Sequence, residues 1–195
     1  MNDMAASADS TSLPPPVPAA AMWLPASALN CYVGDADMRS WLLTPGLLTQ
    51  RIREAAGEGF AMHCLHEGLL DGEHVREIDM CCDGVVWMFA HTRIPAGTLS
   101  AHPWVGQIGN RTLGEALGGR QNLKREDFRY AQLHPDSWLA ERALRHAQLP
   151  PQPLWVRHSA FMLGDSPFDL YEAFLPAIGR RGPADALHHR YSSAP

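Results

Sequence analysis

The chain has 195 residues, of which 46% are hydrophobic and 19% are charged, and its formal net charge is -5. These values are typical of a globular protein and exclude a chain that is disordered throughout. The negative charge argues against nucleic-acid binding, which needs a basic surface, and no apolar run approaches the roughly 20 residues that span a bilayer.

The two ends of the chain differ in composition from its middle. Residues 1–21 are rich in Ala, Ser and Pro and contain few large apolar groups, so we predict a disordered tail. Residues 181–195 predict a flexible C-terminal tail, which leaves a single domain at 22–180. The first basic residue is Arg39, so the N-terminus lacks the positive region of a secretory signal. We therefore expect a cytoplasmic protein with reduced cysteines.

The middle of the chain alternates between helical and strand patterns. In chain order these patterns predict a short helix at 37–43, a helix from the Thr44-Pro45 start to Gly57, a strand at 59–67, a hairpin at 75–95, a short helix at 111–117, a strand at 125–133, a helix at 135–148 and a hairpin at 155–176. Strands joined by hairpins imply an antiparallel sheet with helices packed on it, which is the α+β class.

The first hairpin carries two polar residues on an apolar face. With Asp83-Gly84 as a two-residue turn and Cys82 opposite Val85, the register places Arg76 opposite His91. The other members of that face are apolar: Ile78, Met80, Trp87 and Phe89. A buried guanidinium needs a partner. Arg76 either reaches solvent, pairs with a structural carboxylate or binds a ligand.

The second hairpin carries a carboxylate in a similar position. With a four-residue loop at 164–167, Glu172 shares a face with Phe161, Phe168, Leu170 and Phe174. It can form a structural ion pair with Arg76 or Arg157. The alternative is a cavity with a cation at one end and a carboxyl group at the other, which would suit a ligand with a carboxylate and a hydroxyl.

Motifs for other chemistries are missing from the sequence. It contains no glycine-rich phosphate loop, no GxSxG turn and no HExxH helix. It also has no CxxC pair, and the adjacent Cys81 and Cys82 point to opposite faces of a strand. We therefore predict neither a metal site nor a nucleotide cofactor.

Four segments resemble the chorismate lyase (chorismate–pyruvate lyase) family of ubiquinone biosynthesis in their order and spacing. They are SWLLTPGLLTQRI at 40–52, VREIDMCCDGVVWMFAHTRIPAGTLS at 75–100, RTLGEAL at 111–117, and WVRHS with YEAFLP at 155–159 and 171–176. The resemblance implies a six-stranded antiparallel sheet with helices on it and an enclosed site under flap segments. It also implies the conversion of chorismate to 4-hydroxybenzoate and pyruvate, the first committed step toward ubiquinone, by a cofactor-free enzyme that is a monomer.

The resemblance also implies roles for particular residues. Arg76 matches the family's carboxylate-binding arginine, and Glu172 matches its hydroxyl-contacting glutamate. Leu113 would hold the carboxylate through its main-chain amide. Leu48 stands where the family has a pocket-closing methionine. His91 stands where the family commonly has an arginine, and it would take part in binding the substrate.

Two questions stay open at the level of sequence. Glu172 can act as an acid, a base or a hydroxyl acceptor, and the carboxylate of the departing pyruvate can be held by His91, Arg157 or another arginine. The alternative function is a non-catalytic sensor or carrier domain for aromatic acids. Turnover of chorismate by the purified protein would distinguish an enzyme from either alternative.

Overall fold

The computed structural model of the chain describes residues 15–45, 48–70, 72–118 and 122–180. Within these residues, eight strands form one antiparallel sheet. They are β1 (Leu24–Pro25), β2 (Phe60–Leu70), β3 (Glu73–Cys82), β4 (Val85–Ile94), β5 (Leu123–Arg125), β6 (Arg129–Leu133), β7 (Leu154–Leu163) and β8 (Ser166–Phe174). The helices are α1 (Leu29–Tyr32), α2 (Ala36–Leu42), α3 (Leu48–Ala56), α4 (Ala96–Ala101), α5 (Leu113–Leu117) and α6 (Trp138–His146). Turns of 3-10 helix lie at Ala26–Ala28, Gly57–Gly59 and Pro103–Gly106. The predicted α+β class is confirmed.

The sheet consists of two groups of strands that meet where β4 pairs with β8. The strand order is β1-β6-β7-β8-β4-β3-β2, and β5 also pairs with β7. The six strands implied by the resemblance are corrected to eight. The strand predicted at 125–133 is broken at 126–128, so that β5 and β6 pair with different ends of β7. The two-residue β1 adds a further short strand beyond β6.

The hairpin of β3 and β4 has the predicted turn but a different register. Asp83 and Gly84 both have positive φ, 50° and 78°, as a two-residue hairpin turn requires. Beyond the turn, a β-bulge leaves Trp87 without a residue opposite it. The pairs that follow are Met80 with Met88, Ile78 with Ala90, Arg76 with Thr92 and Glu77 with His91.

This bulge overturns the predicted pairing of Arg76 with His91. One extra residue in a strand moves every later side chain to the other face of the sheet. Trp87 and Met88 therefore both join the apolar cluster on one face, and Phe89 joins the cluster on the other. His91 lies on the face that carries Glu77, away from Arg76.

The hairpin of β7 and β8 is also tighter than predicted. Its loop has two residues instead of four, because Leu163 already pairs with Ser166 across Gly164 and Asp165. The change moves the register by two residues, so each side chain keeps its predicted face. Glu172 now lies opposite Arg157.

The two faces of the sheet are covered by different helices. On one face, α2 and α3 contribute Trp41, Leu42, Leu48 and Ile52 to a buried cluster that includes Ile78 and Met80 of the sheet. On the other face, α6 packs Leu139, Ala140, Ala143 and Leu144 onto Phe89, Val156 and Ala173. None of the described helices is long and apolar enough to cross a membrane.

The packed part of the chain begins before the domain boundary predicted at residue 22. Val17 is buried and belongs to the cluster that surrounds α6, with Ala21 packed against the same cluster. Only residues 15–21 of the predicted N-terminal tail lie within the described residues, and the C-terminal segment 181–195 lies outside them.

Candidate active site

A cavity of about 670 Å³ lies on the face of the sheet that carries α3 and α5. Its floor is made by side chains of β3, β4, β7 and β8, which form the middle of the sheet. Leu48 and Thr49 of α3 line one side, and Leu113, Gly114 and Leu117 of α5 line another. Most of the lining is apolar, but four charged residues point into it: Arg76, Arg125, Arg157 and Glu172.

Arg76 is buried at the α5 end of this cavity. Its Nη2 donates hydrogen bonds to the carbonyl oxygens of Gly109 at 2.8 Å and Arg111 at 2.6 Å. Burial lowers the pKa of Arg76, yet a guanidinium keeps its proton at neutral pH. These bonds orient the side chain in the wall of the cavity.

Arg76 forms a long ion pair with Glu67, whose carboxylate is also hydrogen-bonded to the backbone. Glu67 lies 3.5 Å from Nε of Arg76, and that nitrogen has no hydrogen-bond partner among the described residues. The two carboxylate oxygens of Glu67 accept the backbone N–H groups of Ile108 and Gly109, each at 2.8 Å. Glu67 therefore fixes the loop before α5, and Arg76 can bind an anion from the cavity.

Glu172 pairs with Arg157 and not with Arg76. The two side chains are opposite each other on β8 and β7, and Nε of Arg157 donates to Oε2 of Glu172 at 2.6 Å. A second nitrogen of Arg157 donates to the carbonyl oxygen of Thr44 at 3.0 Å. In the described part of the chain, no protein donor bonds to Oε1 of Glu172, so this oxygen can accept a hydrogen bond from a ligand.

Arg125 is a cavity residue that the sequence interpretation missed. It ends β5, opposite Phe161, and the break before β6 brings Phe128 next to it. The guanidinium carbons of Arg125 and Arg157 lie 4.2 and 4.1 Å from the centre of the Phe128 ring. Arg125 has no ion pair with any carboxylate in the described ranges. No sequence signal identified it, because its pairing with Phe161 is visible only in the structure.

The structure brings four of the five predicted site residues to one cavity. Arg76 and Glu172 line it from the sheet, and Leu48 lines it from the first turn of α3. Leu113 is the first residue of α5, whose start is fixed by Thr112: its side chain accepts the N–H of Glu115 at 3.0 Å. These positions agree with the roles that the resemblance implies, which stay predictions.

His91 is the predicted site residue that the structure places elsewhere. It is fully buried on the opposite face, where its Nδ1 lies 3.0 Å from Glu77 and its ring meets the edge of Trp138. Burial lowers the pKa of His91, so its imidazole is neutral at pH 7. The carboxylate of Glu77 also accepts two hydrogen bonds from Arg142, at 2.5 and 2.6 Å. His91 thus belongs to a buried polar network on the face away from the cavity.

Known proteins are similar in sequence to this chain over most of its length. The family model described as chorismate lyase matches residues 17–181. A protein of Shewanella sp. strain ANA-3, named probable chorismate pyruvate-lyase, is 34% identical over 155 residues, which cover 73% of this chain and 82% of that protein. One of the same name from Methylobacillus flagellatus is 29% identical over 167 residues, 77% of this chain and 93% of that protein. Among solved structures, the C-terminal domain of the histidine utilization repressor from Pseudomonas syringae pv. tomato aligns with a TM-score of 0.42 and 10% identity, over 60% of this chain and 87% of that one. A structural similarity of that size carries no inference about function.

Proposed function

The chain belongs to the chorismate lyase family, and on that premise we propose that its cavity binds chorismate and eliminates pyruvate from it to give 4-hydroxybenzoate. The observation that carries the assignment to this cavity is its charge. Three arginines and one glutamate line a mostly apolar space, an excess of two positive charges. Chorismate has two carboxylates, one on the ring and one on the enolpyruvyl group, so its charge matches that excess.

Arg76 is proposed to hold the ring carboxylate. Its guanidinium is buried and oriented by two backbone carbonyls, its ion pair with Glu67 is 3.5 Å long, and its Nε has no hydrogen-bond partner among the described residues, so an anionic ligand would supply the missing acceptor. Because both hydrogens of Nη2 donate to those carbonyls, a ligand carboxylate would accept from the remaining N–H groups of the guanidinium, which the ammonium group of lysine cannot reproduce. The main-chain N–H of Leu113, as the family resemblance implies, would add a further donor.

Arg125 is proposed to hold the carboxylate of the enolpyruvyl group. The sequence left His91, Arg157 or another arginine as candidates. His91 lies on the other face of the sheet, and Arg157 is bonded to Glu172 and to Thr44. Arg125 lines the same cavity at its exposed side, where a leaving group can depart to solvent.

Glu172 is proposed to accept a hydrogen bond from the substrate's hydroxyl group. An ionised carboxylate accepts hydrogen bonds and donates none, and Arg157 holds this one by a charge-assisted bond of 2.6 Å. The acceptor role is therefore favoured over that of an acid. The same carboxylate is placed to receive the proton from the carbon that bears the hydroxyl.

The elimination then proceeds without any group beyond the protein and the substrate. The C–H bond at the hydroxyl-bearing carbon breaks, and its electrons complete the aromatic ring as the neighbouring C–O bond to the enolpyruvyl group breaks. Enolpyruvate leaves and takes up a proton to become pyruvate. Because the ring becomes aromatic, the protein has to supply mainly orientation and stabilisation of the charge on the leaving group.

The test is direct conversion. The purified chain is mixed with chorismate, and 4-hydroxybenzoate and pyruvate are quantified by chromatography. Equal amounts of the two products, at a rate far above that without protein, are expected. Binding of chorismate without conversion would instead support the sensor or carrier alternative. The flap segments and the monomeric state implied by the resemblance stay predictions.

A further inference from the structure

We propose that His63, Asp79 and Cys81 form a binding site for a divalent metal ion of the zinc type on the face of the sheet opposite the cavity. One ligand atom from each of the three residues lies within 4.8 Å of the other two. The donors are an imidazole nitrogen, a carboxylate oxygen and a sulfur. The site is separate from the proposed catalytic residues and does not depend on the proposed function.

The sheet brings these residues together through strand alternation. Asp79 and Cys81 are two residues apart on β3, so both side chains project to the same face. His63 lies opposite Asp79 on the neighbouring strand β2, which is the edge of the sheet. Arg76 and the cavity residues of β3 project to the other face. Sequence spacing alone could not show this arrangement, because 16 residues separate His63 from Asp79.

A second histidine fixes the central carboxylate. Nε2 of His146, the last residue of α6, lies 2.8 Å from Oδ2 of Asp79. The other oxygen, Oδ1, lies 2.7 Å from Nδ1 of His63. Metal-binding carboxylates and histidines are commonly oriented by such an outer partner, which fixes the direction of the ligand atom. His146 is therefore a positioning residue, and Oδ1 is the oxygen that faces the metal.

The chemistry of the donors selects the ion. Ca²⁺ and Mg²⁺ prefer sites made of oxygen ligands, whereas an imidazole, a thiolate and a carboxylate suit Zn²⁺ and its neighbours Co²⁺ and Ni²⁺. Three protein ligands leave a fourth position. The side chain of His63 is 57% exposed and that of Asp79 is 5% exposed, so the open position faces solvent beside the histidine.

The distances require only a small adjustment. Zinc bonds of about 2.0–2.3 Å place two tetrahedral ligand atoms roughly 3.3–3.8 Å apart. Nδ1 of His63 and Oδ1 of Asp79, now 2.7 Å apart, have to move apart. Any pair of ligand atoms that is farther apart than the tetrahedral spacing has to move closer. The exposed imidazole of His63 can make this movement, while Asp79 and Cys81 stay in the buried strand.

The test uses the full-length untagged protein, stripped of metal by a chelator and then titrated with Co²⁺. We expect one equivalent to bind with the near-ultraviolet absorption of a cobalt–thiolate bond, and Zn²⁺ to displace it. C81S should abolish that band, H63A should weaken binding at least tenfold, and H146A should weaken it about tenfold through loss of the outer partner. The exposed position of His63 makes H63A the variant that keeps its fold, and Zn²⁺ should raise the Tm of the wild type more than that of H63A.

Two control variants distinguish this site from other cysteine and histidine side chains that could bind the metal ion. C31S removes an exposed cysteine, and a double change of His188 and His189 to alanine removes the paired histidines outside the described residues. Both variants should bind Co²⁺ as the wild type does. A wild-type protein without the cobalt–thiolate band, a band that persists in C81S, or equal affinity in H63A would overturn the proposal.

Discussion

Replacing Arg76 by alanine tests the assignment of the anion site most directly. Truncating one partner of a buried charge pair costs about 2–5 kcal/mol in binding, so R76A should weaken 4-hydroxybenzoate binding by roughly 30-fold or more. The product is the best probe because it retains the ring carboxylate and lacks the enolpyruvyl group. Isothermal titration calorimetry on wild type and variant gives the two affinities.

The same change also affects stability, and this effect has to be separated from binding. R76A removes two hydrogen bonds from a charged donor to the carbonyls of Gly109 and Arg111. At about 1.5 kcal/mol each, their loss would lower the Tm by roughly 6–12 °C for a domain of this size. Calorimetry is therefore done well below the Tm of the variant, where the fraction of folded protein is known.

Arg93 offers a matched control. It lies on β4, on the face of the sheet opposite the cavity, and forms a partly exposed ion pair with Glu73. R93A should leave product affinity unchanged and cost at most about 1 kcal/mol in stability. R76K, which keeps a charge but not the several N–H donors of the guanidinium, should bind more weakly than wild type. A lower Tm of R76A with undiminished product affinity would refute the assignment of Arg76 as the anion site.

Four further predictions follow from the site and its surroundings. E172Q should lower kcat by about 100-fold or more with little change in product affinity, if the carboxylate receives the proton; steady-state kinetics that show an unchanged kcat would rule this role out. R125A should raise the KM for chorismate by roughly tenfold (~1.4 kcal/mol) and leave 4-hydroxybenzoate binding unchanged, because the product lacks the second carboxylate; equal losses for both ligands would contradict the assignment. Turnover should survive exhaustive chelation, since the proposed metal ligands lie on the other face of the sheet, and an activity that returns only with added metal would disprove this separation. Burial and the nearby Asp79 raise the pKa of the Cys81 thiol to about 12. An alkylating reagent at pH 8 should therefore modify the exposed Cys31 far faster than Cys81, as measured by mass spectrometry of the peptides. Faster modification of Cys81 would contradict this prediction.

Local sequence signals predicted the longer elements and the turn of the first hairpin, but not the short α1, α4 and β1. Asp83-Gly84 has the backbone freedom that a two-residue turn needs, and the structure has positive φ at both residues. The order of helices and strands followed from hydrophobic periodicity, which reports the burial of each face. Arg76 and Glu172 were identified because each is a charged residue within an apolar strand face.

The bulge at Trp87 could not be read from the sequence. Nothing in the run Val85–Ile94 distinguishes a regular strand from one with an extra residue, because apolar side chains suit both faces of a sheet that is covered on both sides. The position of the bulge is set by packing against helices that are distant in the chain. For that reason the sequence placed His91 beside Arg76, and the structure places it with Glu77 and Arg142.

The loop of the second hairpin is shorter than the four residues predicted at 164–167. A proline lacks the N–H that a strand interior uses, so within sheets it is confined to edges, strand starts and bulges. In the structure Pro167 lies within β8, opposite Met162. The pairing of β8 with β4 covers only Asp169–Phe174, so the missing N–H of Pro167 interrupts no bond on that side. The sequence does not show where a neighbouring strand ends.

The junction of β4 and β8 has a consequence for how the molecule holds together. It joins two hairpins that are remote in the chain, and Ala90 pairs with Glu172 across it. The cavity's charges come from both sides, Arg76 from the first hairpin and Arg157 with Glu172 from the second. A ligand that contacts charged residues of both hairpins therefore spans the junction. Its binding free energy adds to the free energy needed to separate the two hairpins. Occupancy of the cavity and cooperative unfolding of the sheet are thus thermodynamically coupled, so the protein resists thermal and proteolytic opening most when its pocket is full.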